Sequence, residues 1–155
     1  MPQILEKLQQ MNLELPKSAK PIGSYVPALK IGNFIYTSGN LPLQEGQLAC
    51  TGKVNKTSVT IETAAQAAQL CTLNALAAVQ DLIGDLDKIT QVVKVTGFVQ
   101  SDTDFHEQPK VINGASDFLK ALFGDQIGSH ARSAVGVNEL PLNASVEIEY
   151  IFYVE

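Results

Sequence analysis

One arginine stands at the mouth of a small, apolar, strand-like segment, Ser129-His130-Ala131-Arg132-Ser133-Ala134-Val135-Gly136-Val137. A guanidinium is always charged and presents a rigid fork of donors, so among apolar side chains it calls for an anion. Only 11 of the 155 residues are Lys or Arg, which sets this placement apart from ordinary surface decoration. Two readings follow. In one, Arg132 pairs with a carboxylate further along the chain, Glu147 or Glu149. In the other it receives the carboxylate of a small substrate through two parallel hydrogen bonds.

The elements that position these residues read clearly. Residues 3–11 fit a short amphipathic helix, with Ile4, Leu5, Leu8 and Met11 on one stripe. Two short strands lie within 25–38 around the turn pair Gly32-Asn33. Residues 39–58 read as loop with at most a short strand. A long helix is predicted from Glu62 to Ile83, with Thr60 as N-cap and Gly84 as stop. Ala64, Ala67, Ala68, Cys71, Ala75, Ala78 and Leu82 form its small face, with Cys71 as core filling. A strand follows from Ile89 to Gln100, with Val93, Val95, Gly97 and Val99 on one side. A second helix is predicted over 109–123, its buried stripe Val111, Ala115, Phe118 and Leu122, its stop Gly124. Strands at 133–137 and 146–154 close the chain.

The order β-β-α-β-α-β-β predicts an α+β fold: a single mixed sheet with two helices on one face. Paired about Pro141-Leu142, the last two strands would place Arg132, Ala134, Gly136, Glu147 and Glu149 on one face, with Arg132 and Glu147 about 13 Å apart at roughly 3.3 Å per residue. The last strand carries apolar residues on both sides, so self-association is expected to cover the helix-free face.

Composition narrows the function. One domain of 155 residues can bury an adequate core, and a net charge of −5 with no basic run argues against nucleic acid as a partner. No segment reads as a signal peptide or a membrane span, and Cys50 and Cys71 read as reduced thiols; the expectation is a cytoplasmic protein with no membrane contact. No metal-ligand spacing, Ser–His–Asp arrangement or phosphate-cradling glycine loop occurs, so no metal is expected. His130 reads as an exposed loop histidine, and His106, near Asp102 and Asp104, as a helix-capping residue.

Ile22-Gly23-Ser24-Tyr25, Thr37-Ser38-Gly39-Asn40-Leu41-Pro42, Val111-Ile112-Asn113, Ala131-Arg132-Ser133-Ala134-Val135, Leu140-Pro141 and Val146-Glu147-Ile148-Glu149 occur in this order. Their order and spacing resemble the Rid (YjgF-like) family of imine and enamine deaminases, historically an endoribonuclease family. The resemblance covers about residues 20–154 and leaves 1–20 as an N-terminal extension. It implies a chorismate-mutase-like fold, a homotrimer with clefts between subunits, and hydrolysis of 2-imino and 2-enamino acids to 2-oxo acids and ammonia without a cofactor. By the same resemblance Arg132 binds the substrate carboxylate and Glu147 orients the attacking water. Tyr25, Gly39, Asn40, Asn113 and Ala134 line the pocket. Two departures stand out: Ala134 where many members have cysteine, and Asn40 where they have glutamine. A non-catalytic trimer that binds or senses small carboxylates such as 2-oxo acids is the alternative.

Overall fold

The structure, a computed structural model, describes residues 2–21, 23–55 and 57–155. Ile22, the first residue of the motif before Tyr25, lies outside them. Helix α1 spans Gln3–Gln10 and is followed by the hairpin β1 (Ala28–Ile31) and β2 (Phe34–Thr37). Gly32 turns that hairpin at φ 56°, in the left-handed region that glycine enters without steric cost. A second small hairpin, β3 (Leu43–Gln44) and β4 (Gln47–Leu48), turns on Glu45 and Gly46, both at positive φ. Residues 39–58 therefore hold two short strands where loop with at most one was expected.

Helix α2 (Ile61–Ile83) begins where Thr60 accepts a hydrogen bond from the Thr63 amide and ends on Gly84 at φ 80°. Its alanine face is buried, which lets the helix lie close to its neighbours; Leu82 instead points to solvent. Gly114 shows how close: a methyl group there would collide with the Ala65 carbonyl of α2. Helix α3 (Gln108–Gly128) carries a break at Gly124 (φ 82°, ψ 162°), so the expected stop is a kink followed by one more turn.

The main sheet has the order β1-β2-β7-β5-β6, with β5 (Ile89–Gln100), β6 (Ala131–Val137) and β7 (Val146–Val154). Strands β5 and β6 run parallel, joined by α3 as a crossover; the other neighbours are antiparallel. The fold is a mixed α+β sheet with three α-helices among the described residues: the two expected to cover the sheet and the short helix expected near the start. Helix α1, over residues that read as a short helix, buries Leu8 and caps its first turn on Asp87, whose carboxylate accepts from the Gln3 and Ile4 amides (2.7 and 2.9 Å).

Two expectations about the strands are overturned. Strands β6 and β7 do not pair, because β5 lies between them. The segment around Pro141 crosses the end of β5 instead of making a hairpin, and the buried Gln100 side chain holds it, accepting from the Leu140 amide and donating to Asn143 Oδ1 (2.6 and 2.7 Å). Within β5, the register shifts between Val92 and Lys94. This bulge breaks the alternation, so that Val92 is fully buried and Val93 only partly.

Candidate functional site between the two sheet faces

Directly paired residues in a sheet point to the same side, so the ladder assigns each candidate to a face. Arg132 is level with Val95, and Ala134 with Gly97; both lie on the helix side, where Gly97 leaves room for Ile112 of α3. Glu147 is level with Phe98 and Glu149 with Thr96, on the open side. Arg132 and Glu147 thus stand on opposite faces, two strands apart, about 10 Å across the sheet at roughly 4.8 Å per strand. The single-face arrangement expected from a β6–β7 hairpin does not occur, and neither does the internal ion pair. Among the described residues the salt bridge present is Lys110–Glu107, at the exposed start of α3.

The candidates fall into two groups. On the open face, Glu147 lies against the backbone of Gly39. A methyl group at Gly39 would sit 2.5 Å from Glu147 Oε1, so only glycine allows this approach. The sheet arranges it through a local irregularity. Tyr36 pairs with Ile151, the Thr37 hydroxyl accepts from the Tyr150 amide (3.0 Å), and Asn40 resumes pairing at Ile148. Four residues on one strand thus face three on the other, and the extra residue lifts Gly39 beside Glu147. Asn40 Nδ2 donates to Ser38 O (2.9 Å), which fixes its amide within this bulge. Ser38 donates to Val26 O and Pro27 O (2.6 and 2.8 Å), anchoring the segment that carries Tyr25. A cavity of about 70 Å³, which Glu147 does not line, is bounded by Tyr25, Ser38, Gly39, Asn40, Asn74 of α2 and residues 18–21. Partial burial, reinforced by the Glu149 charge, raises the Glu147 carboxyl above the usual carboxylate range.

On the helix side, at the edge strand, Arg132 Nη1 donates to Asn113 Oδ1 (2.7 Å) and Ser116 Oγ (3.1 Å). Asn113 and Ser116 are three apart on α3 and so share one helix face. Nε and Nη2 make no hydrogen bond among the described residues, which leaves one edge of the guanidinium available. Arg132 is the only arginine in the chain. Ser116 was not singled out from the sequence, although its spacing from Asn113 is the signal that could have found it. His130 differs from expectation as well. It is half-buried, with Nδ1 on Gly128 O (2.6 Å) and Nε2 on Ser116 Oγ (2.8 Å). His106 makes no capping bond; α3 starts at Glu107 without a side-chain cap.

The thiol of Cys71 is fully buried, and that burial pushes its pKa well up, as core filling requires. Among the described residues no group of three or more His, Cys, Asp or Glu could hold a metal ion, and no helix is long and apolar enough to cross a membrane.

A five-stranded mixed sheet with helices on one face, a parallel β5–β6 edge and an open face bearing the Gly39–Glu147 contact defines a chorismate-mutase-like α+β class. The chain belongs to the family described as "YjgF/chorismate mutase-like, putative endoribonuclease", whose model matches residues 6–154. It is 38% identical over 146 residues to Protein TCP17 of Trypanosoma cruzi, covering 94% of this chain and 91% of the relative. It is 34% identical over 143 residues to the 2-iminobutanoate/2-iminopropanoate deaminase of Dermatophagoides farinae, covering 92% and 95%. The crystal structure of Atu1372 from Agrobacterium tumefaciens, a protein of unknown function, superposes with a TM-score of 0.87 at 43% identity, covering 98% of this chain and 92% of that one.

Proposed function

We propose that the chain hydrolyses 2-imino and 2-enamino acids to 2-oxo acids and ammonia in clefts between copies of itself. The observation that carries this reading is the division of the candidates: an acidic group on the open face, and an unneutralised guanidinium on the helix side at the sheet edge. Neither group completes a site alone. A second copy packed on the open face would bring its β6 edge, with Arg132, Asn113 and Ala134, to the first copy's Glu147, Gly39 and Tyr25. The open face suits burial, since Leu29, Ile31, Phe34, Tyr36 and Val135 all expose large apolar surface there. Three copies arranged head to tail would close such an assembly as a ring, with one cleft per interface.

The chemistry asks little beyond placement. The imine carbon is already electrophilic, so holding the acid and delivering water supply most of the catalysis. The Nε–H and Nη2–H groups of Arg132 donate side-on to the substrate carboxylate, while Nη1 stays tied to α3. Glu147, as the carboxylate, takes a proton from water as the water oxygen bonds to the imine carbon. It then returns a proton to nitrogen. Glu147, again a carboxylate, takes the hydroxyl proton of the resulting carbinolamine and passes it to the amino nitrogen as the carbonyl forms, the C–N bond breaks and ammonia leaves. The backbone beside Gly39 lets the substrate approach closely. The Dermatophagoides relative, named as a deaminase of such imines, supports the same substrate class.

The test uses 2-iminopropionate generated in place by a coupled amino-acid-eliminating enzyme, with 2-oxo acid release as the readout. The wild-type chain should speed release and Arg132→Ala should not. Equal rates for both and for buffer would end the proposal. Saturable binding of 2-oxobutyrate with no effect on any imine would replace it with a carboxylate sensor.

A further inference from the structure

The residues behind Arg132 form a chain of hydrogen bonds with one consistent polarity. The Gly128 carbonyl can only accept, so His130 Nδ1, 2.6 Å away, carries the hydrogen. In the neutral ring Nε2 is then an acceptor, and the Ser116 hydroxyl at 2.8 Å must donate to it. With its hydrogen committed there, Ser116 Oγ presents its lone pairs to Arg132 Nη1 at 3.1 Å. Ser116 is buried, and both of these partners come from the protein. Gln91 Nε2, donating to Ile127 O and Ser129 O (3.2 and 2.5 Å), fixes the segment that carries the imidazole.

We propose that His130, acting through Ser116, is a positioning residue for Arg132, and that only the neutral imidazole holds the guanidinium in its carboxylate-receiving geometry. The inference rests on the reading of Arg132 as a carboxylate receptor given above. Protonation puts a hydrogen on Nε2, so that Ser116 faces donors from both sides and its own hydrogen loses its partner. It also places a cation beside Arg132. The charges acting on the imidazole are both positive, Arg132 on β6 and Lys120 on α3. Lys94 of β5, level with Ala131, lies on the other sheet face. Burial first, then these two cations, lower the His130 pKa from its usual range against the opposing pull of the Gly128 carbonyl, so the ring is neutral at pH 7. Carboxylate affinity should accordingly be full at neutral pH and fall as acid titrates His130, below the ordinary histidine value of about 6.5.

Two measurements on the full chain test this. In nitrogen-15 NMR of the free protein, the Arg132 Nε–H signal should titrate with the same midpoint as the His130 ring, and Ser116→Ala should uncouple them. In calorimetry with 2-oxobutyrate, Ser116→Ala should weaken binding about tenfold, the scale of one hydrogen bond to a charged group, with Ser116→Thr restoring it. His130→Phe should abolish the acid-side loss of affinity. If His130 titrates with no response at Arg132, or if affinity rises on acidification, the inference is overturned. If NMR shows the coupling but 2-oxobutyrate binds to neither wild type nor Arg132→Ala, the coupling stands and the reading of Arg132 as a carboxylate receptor fails.

Discussion

The two halves of the candidate site are built by different means. The Glu147 half depends on backbone. A one-residue bulge in the β2–β7 pairing brings Gly39 against the carboxylate, and among the described residues no side-chain hydrogen bond or salt bridge holds Glu147 in place. The Arg132 half depends on side chains, since Asn113, Ser116 and His130 fix one amino group of the guanidinium and leave the opposite edge open. The contrast teaches how each half should fail. Backbone crowding displaces the acid, whereas removal of any polar partner loosens the arginine.

That comparison can be broken most severely at Glu147. Glu147→Gln keeps shape and removes the base, so kcat on imine substrates should fall by about 10²–10⁴-fold while KM changes little. Arg132→Ala should act chiefly on KM, with kcat/KM down by about 10²-fold, as expected for loss of a bidentate charged hydrogen bond. Arg132→Lys should recover only part of this, because an ammonium lacks the planar fork. If either substitution moved the other's parameter, the division of labour between the halves would be wrong.

A milder probe separates backbone from side chain. Gly39→Ala should cost about 10²-fold in kcat, because the added carbon sits 2.5 Å from Glu147 Oε1 and must push the carboxylate aside. Circular dichroism and thermal unfolding should show the fold unchanged. Smallest of all is Glu149→Gln. Burial and then the Glu149 charge raise the Glu147 pKa, and the base must be ionised to act. Activity should therefore fall as pH drops through that raised pKa. Removing the Glu149 charge should move this acid limb to lower pH and leave the neutral plateau untouched. A pH–rate profile of kcat reads both.

What the sequence makes legible is whatever rests on local signals. The caps of α2, the Gly32-Asn33 turn, the Gly124 break and the extent of β7 follow from residue type and period alone. What it hides is strand neighbourhood. Nothing in Leu140-Pro141-Leu142-Asn143 marks the difference between a hairpin and a crossing over the end of β5, and that one ambiguity placed Arg132 and Glu147 on a common face. The bulge at Val93 escapes for a related reason, since alternation over Ile89–Gln100 is satisfied by either parity. Of the site, Arg132, Asn113, Glu147 and Gly39 were visible as motif residues. Ser116 and the buried side of His130 were not, because an i, i+3 partner on a helix and a histidine at a strand entry look like surface until the packing is known.

On the proposed reading, a working cleft takes its guanidinium from one copy and its carboxylate from another. Subunits carrying Arg132→Ala and subunits carrying Glu147→Gln, each strongly impaired alone at substrate well below KM, can be unfolded together, refolded as a mixture and assayed on 2-iminopropionate under that condition. If the halves come from different copies, random mixing regenerates intact pairs in about a quarter of the clefts of a head-to-tail ring, and activity should return to that fraction of wild type. A mixture that assembles normally yet stays as inactive as its parents would contradict the account.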